Sequence, residues 1–218
     1  MAQIASVDAF RAATEAAQHV QSLLPQDLMV PRIGIICGSG LGGLADTIQP
    51  EPRVEAAYAT IPHFPKSTVQ GHAGKLVFGL LGPNKIPAVL MVGRAHFYEG
   101  HSLEKVTFPV RTLKILGVET LIVTNAAGGL DSAYAVGDIV ILNDHLNLAG
   151  LVGIHPLRGP NADDFGIRFP ALSDAYDLEL RQIAHTAWKK LAISRHQRRI
   201  HEGVYAFVGG PRRATPVG

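Results

Sequence analysis

The residues able to do chemistry in this chain gather where three short apolar runs break off into glycine-rich or charged clusters. Ile33-Gly34-Ile35-Ile36-Cys37 runs into Gly38-Ser39-Gly40-Leu41-Gly42-Gly43, and Ala88-Val89-Leu90-Met91-Val92 into Gly93-Arg94-Ala95-His96-Phe97-Tyr98-Glu99-Gly100. Leu121-Ile122-Val123-Thr124 runs into Asn125-Ala126-Ala127-Gly128-Gly129. Main-chain N–H groups of a glycine turn, with the Ser39 hydroxyl beside them, suit an anion. Arg94 offers a planar fork of two parallel charge-assisted bonds, the geometry a phosphate takes best. His96 stands two residues on, on the same side of an extended chain, and supplies an imidazole that donates a hydrogen bond and titrates near neutral pH. In the third cluster small side chains let the backbone approach a ligand, so Ala126 would contribute its N–H. These groups converge on one small anion, and phosphate is the natural reading.

Each feature also has a plainer role. Glycines at 38, 40 and 43 satisfy the dinucleotide fingerprint, but the second strand ending in an acid is missing. Ile61-Pro62-His63-Phe64-Pro65 stands there instead, and Pro50 cuts short any helix, which excludes a nicotinamide or flavin site. The glycines alone fit a turn with no ligand. Arg94 and Glu99 could form a surface pair beside a structural His96. Tyr98, in register with His96, could lay its ring or hydroxyl against a sugar or simply fill the core. His72, in the loop Gln70-Gly71-His72-Ala73-Gly74, is a second candidate imidazole or a solvated one.

The elements that must position these groups are a sheet and its helices. Short apolar runs bounded by glycine predict strands buried on both faces, and in such sheets ligands sit outside the carboxyl ends. Val7, Phe10, Ala13, Ala17, Val20 and Leu24 recur at helical spacing, with Ser6 or Asp8 as cap. Lys75–Leu81 and Ile86–Val92 flank Gly82-Pro83-Asn84-Lys85 and predict a hairpin. Ser102 opens a helix through Gly117 that must absorb Pro109 early or as a kink. Strands follow at Leu121, at Asp138–Leu142 and at Gly203–Val208, and Asp174–Leu191 predicts a helix. The stretch from Asn147 to Ser173 is loop-like, and a loop that long is functional or wraps a partner.

At 218 residues the chain suits one domain with an ordinary soluble composition, 47% hydrophobic and 17% charged. A net charge of +2 with interspersed signs leaves no footprint for nucleic acid or an acidic membrane. The densest basic stretch, Lys189 to Arg199, reads as a solvated face at a helix end. Cys37 is the only cysteine, which leaves neither a disulfide nor a cysteine metal cluster within one chain, and its strand position makes it a small hydrophobe. No run suggests a signal peptide or a membrane span, so a cytoplasmic protein is expected.

In this order and spacing, the three clusters resemble the trimeric, low-molecular-weight class of purine nucleoside phosphorylases. Gly71-His72-Ala73-Gly74, Lys105-Val106-Thr107-Phe108-Pro109-Val110-Arg111 and Asp144-His145-Leu146-Asn147-Leu148 are similar to further segments of that family. So are Pro156-Leu157-Arg158-Gly159-Pro160-Asn161, Arg168-Phe169-Pro170 and Ser173-Asp174-Ala175-Tyr176. The likeness runs from about Val7 to Pro211. It implies an α/β fold, one domain around a mixed, barrel-like β-sheet flanked by helices, over residues 1–211. It implies a homotrimer, phosphate held by Ser39, His72, Arg94, His96 and the Ala126 amide, and ribose contacted by Tyr98. Phe169 would be lent to a neighbouring subunit's sugar pocket. The implied reaction is reversible phosphorolysis of purine ribo- or deoxyribonucleosides, with Arg94 and His96 at its centre, phosphate as co-substrate and no metal or organic cofactor. The methylthioadenosine phosphorylase branch shares the architecture, but Gly93–Gly100 and Asn125–Gly129 look like the purine nucleoside branch.

After Gly210-Pro211 the likeness stops. Arg212, Arg213 and Ala214 stand where the family continues with a serine, an aromatic residue and a glutamate. The chain therefore reads as a copy lacking the family's last strands and helices, with a disordered tail over 212–218 and no purine-binding residue. A non-catalytic phosphate-binding or regulatory role is the corresponding alternative.

Overall fold

The structure, a computed structural model, describes residues 9–65, 74–191 and 198–209. Its contacts divide the chain into two compact units, one within Met1–Ala126 and Gly159–Gly166, the other within Ala127–Arg158 and Ile167–Gly218.

The first unit is built on a five-stranded mixed sheet. Helix α1 (Ala9–Gln21) buries Ala13, Ala17 and Val20 of the predicted stripe, together with Ala12 and Ala16, while Phe10 and Leu24 are half-buried. The proposed caps Ser6 and Asp8, with Val7, lie outside the described residues. The strands are β1 (Ile33–Cys37), β2 (Ile48–Ala57), β3 (Lys75–Leu81), β4 (Ile86–Val92) and β5 (Thr120–Val123), in the order β2-β3-β4-β1-β5. The expected hairpin is present as antiparallel β3 and β4, while β1 lies parallel to β4 on one side and to β5 on the other.

Helix α2 (Leu103–Ile115) starts where the sequence places it, with the Ser102 Oγ accepting the Lys105 N–H at 3.3 Å. Pro109 sits in the helix interior, buried, and removes the N–H that the Lys105 carbonyl would otherwise accept.

Side chains alternate across the sheet with the period of a strand. Ile36, Leu76, Phe78, Val89 and Met91 join the helices in one buried cluster. Ile35, Cys37, Val77, Leu90 and Val92 join Ala45 and Ile48 in another. Both faces of β1, β3 and β4 are therefore buried, as continuous apolar runs predict. For β5 that expectation fails: Leu121, Ile122 and Val123 are 39%, 46% and 57% exposed. The cause is position, since β5 is the last strand in the sheet order and pairs with β1 alone.

The second unit holds β6 (Ile139–Asn147) and β7 (Ile200–Phe207), a parallel pair whose register shifts between Leu142 and Asp144. Both strands run longer than the apolar residues suggest. Helix α3 (Leu178–Lys190) begins four residues later than predicted, where Asp177 caps it, its Oδ1 accepting the Leu180 N–H at 2.7 Å. The Asn147–Ser173 stretch is loop, as expected, broken by single 3-10 turns at Ala149–Val152 and Asp163–Phe165. The tail over 212–218 lies outside the described residues.

Candidate anion-binding site

Register brings the three clusters to one edge of the sheet. Cys37 pairs with Val92, and Ile36 with Val123, so β1, β4 and β5 end side by side at their carboxyl ends. The first cluster leaves β1 through a turn closed by the Leu41 N–H on the Gly38 carbonyl at 3.0 Å, with Gly40 at φ +80°. Gly38 is required for a different reason: a Cβ there would stand 2.6 Å from the Thr124 carbonyl oxygen and 2.7 Å from the Asn125 Cα. The backbones of the first and third clusters thus touch, with half-buried Ser39 next to the contact. Thr124 is the fastener. Its N–H and its hydroxyl both donate to the Ile36 carbonyl, at 3.0 and 2.9 Å, while the hydroxyl accepts the Gly38 N–H at 2.9 Å.

Arg94 follows Gly93, which turns the chain off β4 at φ +89°. The guanidinium reaches across the end of β1, where its Nη1 donates to the Thr124 carbonyl at 2.9 Å. Beneath it, the buried Tyr58 donates its hydroxyl to the Gly93 carbonyl at 2.7 Å. Burial pushes the pKa of that phenol well above its ordinary value, so it remains a donor at any physiological pH. Burial likewise pushes the Cys37 thiol up, with the Arg94 charge pulling weakly the other way. Cys37 is a buried structural residue, as its place in β1 predicts.

His96 is extended, at φ −121° and ψ 153°, and then the chain turns into a 3-10 helix at Phe97–Glu99. The alternation that puts Arg94 and His96 in one register therefore does not continue to Tyr98. Tyr98 instead stacks its ring on the His96 imidazole, centroids 4.7 Å apart and planes 19° from parallel, with half its surface exposed. Glu99 is no surface residue: its side chain is 3% exposed, and its Oε1 accepts the His96 N–H at 2.7 Å and lies 2.8 Å from His96 Nδ1. With a carboxylate as partner, Nδ1 carries the proton and the ring is fixed in orientation, Nε2 being the nitrogen outside this pair.

Ala126 is exposed in a segment without regular structure, three residues past Val123. Phe169, in the second unit, is 85% exposed, with the Arg168 guanidinium 5.9 Å from its ring centre. His72 lies outside the described residues. The structure thus joins Ser39, Arg94 and Ala126 through neighbouring strand ends, with His96 just beyond Arg94. Three contributors escaped the sequence reading: Thr124, Tyr58 and Glu99 as a buried partner. For Glu99 a signal existed, since the residue three after the cap of a helical turn, here His96, is where a capping carboxylate stands.

The family model described as phosphorylase superfamily matches residues 32–217. The purine nucleoside phosphorylase of Mus musculus is 56% identical over 185 residues, 85% of this chain and 62% of its own. The putative purine nucleoside phosphorylase of Schizosaccharomyces pombe is 53% identical over 199 residues, 91% of this chain and 62% of its own. This chain thus spans about 62% of the length of these curated relatives. A crystal structure of isoform 2 of purine nucleoside phosphorylase from Schistosoma mansoni, in complex with cytosine and ribose-1-phosphate, superposes with a TM-score of 0.84 at 42% identity. That match covers 96% of this chain and 70% of the other. The Schistosoma mansoni enzyme in complex with inosine gives a TM-score of 0.81 at 44% identity, over 93% of this chain and 67% of that one.

Proposed function

The chain belongs to the phosphorylase superfamily, and we propose that its crest of strand ends holds inorganic phosphate for the reversible phosphorolysis of purine nucleosides. The products are a free purine base and a pentose 1-phosphate. The observation that carries this reading is the union of Arg94, the Ser39 turn and the Asn125–Ala126 backbone through Thr124. Relatives named as purine nucleoside phosphorylases, one of them crystallised with ribose-1-phosphate and one with inosine, support the substrate class.

Breaking a glycosidic bond leaves positive charge on the sugar and negative charge on the departing base. A phosphate dianion held against the sugar stabilises the first charge and then attacks the anomeric carbon from the face opposite the base. The enzyme supplies no nucleophile of its own. Positioning two reactants in attack geometry contributes about 7–11 kcal/mol, and preorganised donors around the phosphate add to it. In this scheme Ser39, His72, Arg94, His96 and the Ala126 amide serve the phosphate, and Tyr98 serves the ribose. Exposed Phe169 meets the sugar of a neighbouring subunit in a homotrimer. No residue of this chain is assigned to the purine, and neither metal nor organic cofactor takes part. The proposed setting is cytoplasmic; among the described residues no helix is long and apolar enough to cross a membrane.

The test is phosphate-dependent release of base from inosine and guanosine by the 218-residue chain, beside Arg94→Ala. Release that needs phosphate and disappears in the variant is expected. Release that is indifferent to phosphate, or undiminished in the variant, would overturn the reading.

A further inference from the structure

In a parallel ladder each bonded residue gives its N–H to one neighbour and its carbonyl to the N–H two residues further along. Thr124 gives its N–H to the Ile36 carbonyl at 3.0 Å, so the next bond should run from the Gly38 N–H to the Thr124 carbonyl. It does not. The Gly38 N–H goes to the Thr124 hydroxyl at 2.9 Å, and the carbonyl takes Arg94 Nη1 at 2.9 Å. The hydroxyl in turn donates to the Ile36 carbonyl at 2.9 Å, so its hydrogen is committed and its lone pairs face Gly38. The Thr124 carbonyl and the Gly38 backbone remain in close approach, since a Cβ on Gly38 would stand 2.6 Å from that oxygen.

We propose that Thr124 is the positioning residue of the phosphate cradle, its hydroxyl standing in for its own carbonyl in the β1–β5 ladder and releasing that carbonyl to aim Arg94. This rests on the phosphorolysis reading for its ligand, and on the hydrogen bonds alone for its geometry. One side chain then sets three things together: the exit of the Ser39 turn from β1, the exit of Asn125 and Ala126 from β5, and the reach of the Arg94 guanidinium across both. Valine has the shape of threonine and keeps the strand, but it returns the Gly38 N–H to competition for the carbonyl. Serine keeps the hydroxyl and loses only a methyl group.

The experiment titrates inorganic phosphate calorimetrically into the wild-type chain, Thr124→Ser and Thr124→Val, and records the Arg94 guanidinium resonances of each without phosphate. Serine should bind phosphate within about twofold of wild type, and valine about tenfold more weakly, the scale of one charge-assisted hydrogen bond. Rotation of the Arg94 guanidinium, hindered in wild type and in the serine variant, should be faster in the valine variant. Should the valine variant not fold, Thr124→Ala against Thr124→Ser repeats the comparison, since those two differ in the hydroxyl alone. Equal phosphate affinity in the valine variant and wild type, or a loss as large for serine as for valine, would overturn the assignment. If wild type binds no phosphate, the phosphorolysis reading falls and the Arg94 resonances decide about Thr124. Identical spectra in wild type and valine variant would then count against it, and faster guanidinium rotation in the valine variant would count in its favour.

Discussion

At the scale of single residues, the groups with distinctive chemistry announced themselves and the groups that hold them did not. Arg94, His96 and the glycines around Ser39 carry their meaning in type and spacing. Tyr58 carries none, because its partner Gly93 lies 35 residues away and the contact exists only once β3 and β4 have folded over it. Its role nonetheless has a measurable consequence. The phenol is buried and donates to a carbonyl beside a left-handed glycine, the point where the chain leaves β4 toward Arg94. Tyr58→Phe keeps the ring contact with Phe64, whose centroid lies 5.3 Å away, and removes only the donor. Losing this one part-buried hydrogen bond costs about 0.5–1.5 kcal/mol. Urea unfolding should show that loss at unchanged slope; a variant as stable as wild type would mean that the Gly93 carbonyl finds another donor.

Among elements, periodicity and punctuation sufficed wherever a strand or helix is satisfied by its own neighbours. The β3–β4 hairpin and the Ala13, Ala17 and Val20 face of α1 follow from local pattern. The exposed β5 did not, because an apolar run says that burial is wanted and says nothing of sheet order. The start of α3 lies four residues past the predicted one because the helix begins at its cap, Asp177, and not at the first residue of the polar run before it. The most exacting element is the β1–β5 junction, where no side chain fits at residue 38. Gly38→Ala would drive a methyl group into the backbone of Thr124 and Asn125, which cannot yield as a flexible side-chain tip would. Overpacking of this kind costs about 1–3 kcal/mol and separates the two strand ends. The expected result is a lower melting temperature together with weakened phosphate binding. Loss of one without the other would show that the junction and the site are independent.

For the molecule as a whole, burial is unevenly shared. Every fully buried apolar side chain among the described residues lies in the first unit, and none of the described residues of the second is buried. Opening free energy follows buried apolar packing, so hydrogen exchange should proceed first through β6, β7 and α3 while β1, β3 and β4 stay protected. Uniform exchange across both units would contradict this.

What holds the second unit is polar, and this makes its stability a function of pH. Asp138 is the clearest case: the Ala135 N–H, the His201 ring and the Arg199 N–H converge on its carboxylate and hold its pKa far below the usual aspartate range. Glu202, beside His185 and Arg181, is lowered as well. A carboxyl group that is a stronger acid folded than unfolded leaves the unfolded chain binding more protons as pH falls. Its stabilisation is therefore complete above the ordinary carboxylate range, near pH 4, and drains away as pH drops toward the depressed native value. The expected melting curve is flat from neutral pH down to about pH 5 and falls steeply below it. In Asp138→Asn the neutral-pH stability should drop and the acid slope flatten, since the group that titrates has gone. An acid slope unchanged by that substitution would place the proton uptake on other carboxylates, Glu15 and Glu55 of the first unit being the next candidates because their ion pairs lower them in the same direction.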